Sequence, residues 1–139
     1  GRIQRQLIAA TGSTELSGRS AAARGQQVRY EQVHDALGYW RTKGDYVEWE
    51  VEVAQAGRYE VSAVVACRRG DHGGAFEVRV DGGELRLSAA VPSTGTWADY
   101  RQISVGVVSL LPGVHRISVH NGKASGPLMK LRGLKMSSL

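Results

Sequence analysis

Several residue types are scarce in this sequence, and each shortage excludes a class of protein. The single cysteine, Cys67, excludes an intrachain disulfide and a metal site built from several thiolates. No apolar run approaches the roughly 20 residues that a membrane-spanning helix needs. Aromatic residues make up only 6% of the 139 residues, so few of the three tryptophans and five tyrosines remain for a surface once a core is built.

Charged residues are common, but they are spread along the chain. Lys and Arg total 18 against 13 Asp and Glu, which gives a formal charge of +5. A positive charge suits an anionic partner, such as a nucleic acid, an acidic lipid surface or an acidic glycan. The sequence has no polybasic run, which favours a solvated basic surface over a nucleic-acid-binding or membrane-binding one.

Apolar and polar residues alternate with a period of two along much of the chain. In the segment from Tyr46, the residues Val47, Trp49, Val51 and Val53 alternate with glutamates. This pattern is typical of a half-buried strand, and it places Trp49 in the core. Similar alternations, separated by turns rich in Gly, Pro and Asp, continue to the end of the chain.

We therefore predict an all-β fold with about eight to ten short strands. Turns at regular spacing and the lack of a long helix indicate an antiparallel two-sheet β-sandwich, of the jelly-roll type. Residues 1–14 break this pattern, and we predict a linker or N-terminal extension there. Residues 15–139 form the predicted β-sandwich module.

One strand face carries a row of acids that deserves comparison with a catalytic pair. Glu48, Glu50 and Glu52 are spaced two apart, so neighbours lie roughly 7 Å from each other, within the range of an inverting glycosidase. A regular wet strand face does not bury one acid to raise its pKa, however. We favour cross-strand pairing with Arg or Lys. No Gly-x-Ser-x-Gly motif occurs, and the protein is not predicted to be an enzyme.

Aromatic residues beside turns offer a different chemistry. Tyr39 and Trp40 precede a turn, and Trp97 lies in a loop that also contains Asp99. Sugars have apolar faces that stack on aromatic rings and polar edges that accept and donate hydrogen bonds. The alternative for each ring is burial in the core.

Five short segments, each weak alone, occur in a specific order. They are Gly38-Tyr39-Trp40, Gly44-Asp45-Tyr46-Val47-Glu48-Trp49, Gly57-Arg58-Tyr59, Pro92-Ser93-Thr94-Gly95-Thr96-Trp97 and Gly113-Val114-His115. This order resembles that of the carbohydrate-binding modules of families six and thirty-five, which are galactose-binding-like jelly rolls. The segment Leu128-Met129-Lys130-Leu131-Arg132 is also similar to modules appended to bacterial sulfatases and fucosidases.

The resemblance implies a set of carbohydrate-binding residues. Tyr39, Trp40 and Trp97 correspond to the rings of the family's cleft, and Asp99 would add a polar contact. Lys130 stands where the family has an Asn in the last strand. An ammonium group can donate to hydroxyls, and it would favour a carboxylated or sulfated sugar.

Metal sites are not expected. Related modules hold a structural calcium with a Glu in the N-terminal strand and an Asp near the C-terminus. Residues 16–22 and 134–136 supply neither carboxylate at the corresponding places, and calcium needs several oxygen ligands. The four histidines have no zinc spacing, and His115 is interpreted as a hydrogen-bonded structural residue. We expect no cofactor.

These observations predict a non-catalytic carbohydrate-binding module that targets an attached polysaccharide-active enzyme to its glycan, with acidic glycans among the expected targets. Its expected partners are a polysaccharide or oligosaccharide and the catalytic domain of the parent enzyme, with no nucleic acid and no membrane. We expect a secreted or periplasmic location, with any export signal outside an excised domain. The alternative is a structural accessory β-sandwich that packs on a neighbouring domain without binding sugar.

Overall fold

A computed structural model describes residues 3–123 and 125–139. These residues form short strands with two 3-10 turns, Gly18–Ser20 and Gln32–His34, and no helix among them is long and apolar enough to cross a membrane. The strands are β1 (Arg5–Leu7), β2 (Ser13–Ser17), β3 (Ala22–Arg24), β4 (Arg29–Glu31), β5 (Ala36–Gly38), β6 (Tyr46–Val53), β7 (Gly57–Ala66), β8 (Ala75–Val80), β9 (Leu85–Ala90), β10 (Arg101–Leu110), β11 (Gly113–Asn121) and β12 (Lys130–Ser138).

The strands form two sheets that pack as a sandwich. The first sheet has the order β1-β6-β11-β8-β9, with β3 also paired to β6. The second sheet has the order β10-β7-β12-β5-β4, with β2 also paired to β12. The predicted all-β two-sheet sandwich is confirmed. Among the described strands, the pairing of β1 with β6 is parallel and the other pairings are antiparallel.

The core lies between the inner faces of the two sheets. Along β6, buried and half-buried residues alternate through the whole strand, and the buried ones are Val47, Trp49, Val51 and Val53. The indole Nε1 of Trp49 donates to the carbonyl of Ser17 at 2.8 Å, so this ring is buried with its polar atom satisfied. The predicted place of Trp49 in the core is confirmed.

The N-terminal segment, residues 1–14, packs on the sandwich where the structure describes it; residues 1 and 2 lie outside the described residues. Strand β1 extends the first sheet along the edge of β6, with Arg5 opposite Glu50 and Leu7 opposite Glu52. Ile8 follows and is buried in the core. The segment therefore contributes strand β1, the first two residues of β2 and one core side chain.

The outer face of the first sheet carries an interleaved row of charges, which we call the charge ladder: Arg5, Arg24, Glu48, Glu50 and Arg116. Glu48 contacts Arg24 at 3.2 Å and Arg116 at 2.8 Å, and Glu50 contacts Arg5 at 3.1 Å and Arg116 at 3.4 Å. The glutamates of β6 thus meet arginines from β1, β3 and β11, as cross-strand pairing predicts.

Two histidines of β11 lie in opposite electrostatic environments. Burial opposes protonation of His115, but its ring nitrogens face the Asp81 carboxylate at 2.6 Å and the Leu111 carbonyl at 2.7 Å, and these acceptors raise its pKa above 6.5. His120 stacks on Tyr46, and burial, reinforced by neighbouring arginines, lowers its pKa to about 4. His115 is the hydrogen-bonded structural residue that the sequence predicts.

Candidate functional site

A cleft of about 310 Å³ opens at one rim of the sandwich, where the loops after β5, β7 and β9 meet the start of β12. This volume is at the small end of the range of roughly 300–1,000 Å³ for small-molecule sites. The lining combines aromatic, charged and apolar side chains: Glu31, Tyr39, Trp40, Arg41, Arg68, Asp71, Trp97, Pro127, Met129 and Lys130.

A buried anchor supports one wall of the cleft. Trp40 is only 1% exposed, its Nε1 donates to the Asp45 carbonyl at 2.9 Å, and its own carbonyl accepts from the Leu128 amide at 2.9 Å. These bonds tie the turn after β5 to the strand that follows it and to the approach to β12. Trp40 thus fixes the position of the backbone that carries its two neighbours, Tyr39 and Arg41.

Asp45 is the second part of this anchor. Its buried carboxylate accepts hydrogen bonds from the backbone amides of Gln26, Gln27 and Val28 at 2.8–3.0 Å. Burial acts to raise the pKa of Asp45, but the three amide donors outweigh it and lower the pKa. Gly25 has a φ of +122°, and a Cβ there would collide with this carboxylate, so glycine is required.

Tyr39 stands at the mouth of the cleft. Its φ is +54°, a left-handed conformation that is uncommon for a residue with a side chain, and its ring is 42% exposed. The guanidinium carbon of Arg29, which does not line the cleft, lies 3.7 Å from the ring centroid. The guanidinium carbon of Arg41, which does line it, lies at 5.7 Å. Two cations therefore flank one exposed aromatic ring.

Trp97 projects from the loop between β9 and β10. Reciprocal hydrogen bonds of 2.9 Å join this loop to the end of β7, from the Cys67 amide to the Thr94 hydroxyl and from the Thr94 amide to the Cys67 carbonyl. Beyond Thr94, the hydroxyl of Thr96 donates to the Asp99 carboxylate at 2.8 Å. Trp97 is half-buried and lines the cleft.

The ionic groups of the cleft are partly neutralised. Arg68 pairs with Asp71 at 2.8 Å, and Lys130 lies 3.9 Å from Glu31 in a half-buried pair. Arg41, Arg68 and Lys130 make three cations against the two carboxylates, which leaves one surplus positive charge in the lining. The cleft is therefore weakly cationic.

Lys123 joins two loops beneath the cleft. Its ammonium group donates to the carbonyl of Asp71 at 2.6 Å and to that of Pro127 at 3.0 Å. Both acceptors belong to residues of the lining. A single side chain thus holds the loop after β7 against the segment that leads into β12.

The structure brings together four of the five residues that the sequence predicts for the site. Tyr39, Trp40, Trp97 and Lys130 line one cleft, whereas Asp99 lies outside the lining and braces the loop of Trp97. The interpretation of Trp40 as an exposed stacking ring is wrong, because its side chain anchors the wall from within.

Sequence reasoning missed six residues of the lining: Glu31, Arg41, Arg68, Asp71, Pro127 and Met129. One signal was available for Arg41. Arg41 directly follows the two adjacent aromatic residues, and an arginine beside candidate stacking rings is a candidate for the same surface. Pro127 and Met129 lie close to the predicted Lys130, whereas Glu31, Arg68 and Asp71 come from segments that hold none of the predicted residues.

No group of three or more His, Cys, Asp or Glu side chains in the described part of the chain could hold a metal ion. The expectation that the site has no metal or cofactor remains a prediction. What the lining offers is stacking on rings, hydrogen bonds and charge.

Comparison with known proteins adds to this geometry. The family model described as "Carbohydrate binding module (family 6)" matches residues 9–138. None of the curated proteins is similar enough in sequence to match the chain.

Three solved structures have a similar fold. A family 35 carbohydrate-binding module from Clostridium thermocellum has a TM-score of 0.75 at 20% identity, and covers 93% of this chain and 100% of its own. The module CBM6cm-2 of Cellvibrio mixtus lichenase 5A, in complex with cellotriose, has a TM-score of 0.71 at 19% identity, covering 91% and 97%. CsCBM6-3 from Clostridium stercorarium, in complex with cellobiose, has a TM-score of 0.70 at 17% identity, covering 98% of each chain.

Proposed function

The chain belongs to family 6 of the carbohydrate-binding modules, and from this premise we propose that its cleft holds a sugar stacked on Tyr39 and Trp97. The observation that carries the proposal is the presence of both rings in one cleft, beside charged groups that can reach hydroxyls. A pyranose needs this combination, because its faces are apolar and its edges are polar.

The proposed affinity is modest. Two stacked rings and a few hydrogen bonds exceed the free-energy cost of association by only about 4–8 kcal/mol, so the dissociation constant should lie in roughly the micromolar to millimolar range. The small cleft holds a short stretch of sugar. Such affinity suits a module that keeps a tethered partner near a polymer with many equivalent sites.

We propose that this partner is a polysaccharide-active enzyme, with this domain as its non-catalytic part. The glutamates that could imitate a glycosidase pair, Glu48 and Glu50, are engaged with arginines on an open strand face. Cell-wall and environmental polysaccharides lie outside the cytoplasm, and for an enzyme that acts on them the proposed location is secreted or periplasmic. The surplus positive charge of the lining supports an acidic glycan.

A glycan titration with three variants tests the site. Trp97→Ala and Tyr39→Ala should each weaken binding at least tenfold, because each removes a stacking platform of about 1–2 kcal/mol and its polar neighbours lose their register. Tyr46→Ala is the matched control, since Tyr46 lies on the outer face of the first sheet, stacked on His120. Loss of binding in the control but not in Trp97→Ala would move the site to that face.

An accessory domain is the second candidate, and one observation favours it. Leu7, Leu111 and Val114 are exposed at the end of the sandwich opposite the cleft, and Leu7 and Val114 both lie opposite Glu52 on its two neighbouring strands. This apolar group could contact a neighbouring domain. The second candidate predicts that no glycan binds and that none perturbs the fluorescence of Trp97.

A further inference from the structure

We infer that Arg41 is the specificity-determining residue of the cleft, and that it binds the acidic substituent, a sulfate ester or a carboxylate, of the sugar that stacks on Tyr39. The inference rests on the proposed function, because it names the class of sugar that the same cleft takes. It assigns to Arg41 the role of binding an acidic sugar, which the sequence alone assigns to Lys130.

The ion pairs of the cleft single out Arg41. Lys130 has Glu31 at 3.9 Å, and Arg68 has Asp71 at 2.8 Å, so a ligand must compete with a carboxylate for either cation. No carboxylate lies within 4.0 Å of the Arg41 guanidinium among the ion pairs of the described residues. Arg41 is also exposed, whereas only 17% of the Lys130 side chain is accessible.

The backbone around Trp40 places Arg41 beside the stacking ring. Trp40 is buried, whereas Tyr39 and Arg41 on either side of it are exposed, and the Arg41 amide donates to the Tyr39 carbonyl at 3.1 Å. The guanidinium carbon of Arg41 then lies 5.7 Å from the centre of the Tyr39 ring. At this distance the guanidinium is close enough to reach a substituent of a sugar bound against the Tyr39 ring in the same cleft.

Arg29 strengthens this arrangement from outside the cleft. It lies closer to the same ring, at 3.7 Å, but does not line the cleft, so it supports the ring and adds positive potential. The planar guanidinium of Arg41 remains to donate two parallel hydrogen bonds to one oxyanion. Sulfate and carboxylate both present oxygens at the spacing that such a fork requires.

The test uses two pairs of polymers that differ only in charge. One pair is κ-carrageenan and its chemically desulfated form, and the other is polygalacturonate and its carboxyl-reduced form. The wild-type chain should bind one charged polymer more tightly than its neutral form, and the pair that responds tells sulfate from carboxylate. Arg41→Gln should lose about tenfold on the charged polymer and less than about twofold on the neutral one.

Matched variants separate recognition from general attraction by a basic protein. Arg58→Gln removes the same charge from an exposed arginine at the start of β7, the end of the sandwich opposite the cleft, and should leave binding unchanged. Arg41→Lys should recover only part of the affinity, because an ammonium group lacks the fork. Lys130→Gln should lose less than Arg41→Gln.

Four results would overturn the inference. Equal losses in Arg41→Gln and Arg58→Gln would show unspecific attraction, and a larger loss in Lys130→Gln would return the role to Lys130. The third such result is a wild-type chain that binds neutral and charged forms equally well, with both affinities lost in the Trp97→Ala variant. That result would support the sugar cleft and refute its specificity for acidic sugars. Failure to bind any of the four polymers would count against the proposed function as well.

Discussion

The charge ladder contains three arginines and the cleft lining contains two, and the surroundings of Arg41 in the cleft differ from those of every arginine on the ladder. On the ladder, Arg116 contacts Glu48 and Glu50, and each of these glutamates contacts a second arginine. In the cleft, Arg41 lies beside an aromatic ring instead of a carboxylate. The comparison teaches that the partners of an arginine, and not its presence, distinguish a structural surface from a binding surface.

The two regions also differ in what holds them. The ladder lies on a regular sheet whose backbone hydrogen bonds fix every position. The cleft is made of loops, which need support from below, and this support comes from the buried carboxylate of Asp45 and the buried ring of Trp40. A substitution in the support should therefore damage the cleft, whereas a substitution on the ladder should leave it intact.

The largest effect is expected for Asp45→Ala, which leaves three backbone amides without their acceptor. The free energy of unfolding should fall by about 3 kcal/mol, and glycan binding should weaken with it. Urea unfolding measures the first quantity. Asp99→Ala is the matched control, since removal of its exposed carboxylate should lower the free energy of unfolding by less than about 1 kcal/mol. Equal losses in the two variants would refute the role of Asp45 as an anchor.

A smaller effect should appear in the pH dependence of stability. The folded chain lowers the pKa of His120 to about 4, so stability should fall as the pH drops from 6.5 towards 4. It raises the pKa of His115, so the stability contributed by that residue is present below pH 6.5 and is lost as the pH rises through the raised pKa. Stability should therefore be greatest near pH 6.5, away from the titration of Asp45.

Unfolding midpoints between pH 4 and 9 check this profile. His120→Phe keeps a ring against Tyr46 but removes the proton, and it should flatten the acid side of the curve. His115→Gln should flatten the alkaline side. If either variant kept the full wild-type slope on its own side, the assignment of that slope would be wrong.

The smallest effect is expected for Glu48→Gln on the ladder. This variant loses ion pairs with Arg24 and Arg116, both with exposed guanidinium groups, so stability should fall by about 0.5–1 kcal/mol. The loss should shrink in high salt, because exposed ion pairs are screened. Glycan affinity should not change. A loss of affinity comparable to that of Trp97→Ala would erase the distinction between the two regions.

Local pattern was sufficient to predict the two-sheet sandwich, but not strand β1, which lies in the segment predicted as a linker or N-terminal extension. The period of two places Trp49 in the core of β6, and the same pattern predicts that the glutamates between its buried residues face water and meet arginines. These features depend on neighbours one and two residues apart, and such spacing directly sets which face a strand residue occupies.

The site was predicted less completely, because two of its features are not local. Tyr39 and Trp40 are adjacent aromatics, and only the left-handed backbone at Tyr39 and the hydrogen bond from Trp40 to Asp45 decide which ring is exposed. Lys130 meets Glu31 only after β12 and β4 join one sheet. The sequence is enough to assign these residues to the site, but only the folded structure shows which charged groups pair with one another inside it.

The reciprocal bonds between Thr94 and Cys67 have a consequence for how ligand encounters the protein. They order the loop of Trp97 when the chain folds, so the loss of conformational entropy falls on folding and not on association. A sugar then binds against a preformed wall of the cleft, so a few contacts are enough to give measurable affinity. Thr94→Val leaves the indole untouched and removes the bond from the Cys67 amide to the Thr94 hydroxyl, so it should shift part of that entropy loss to ligand association and weaken the binding of every sugar alike.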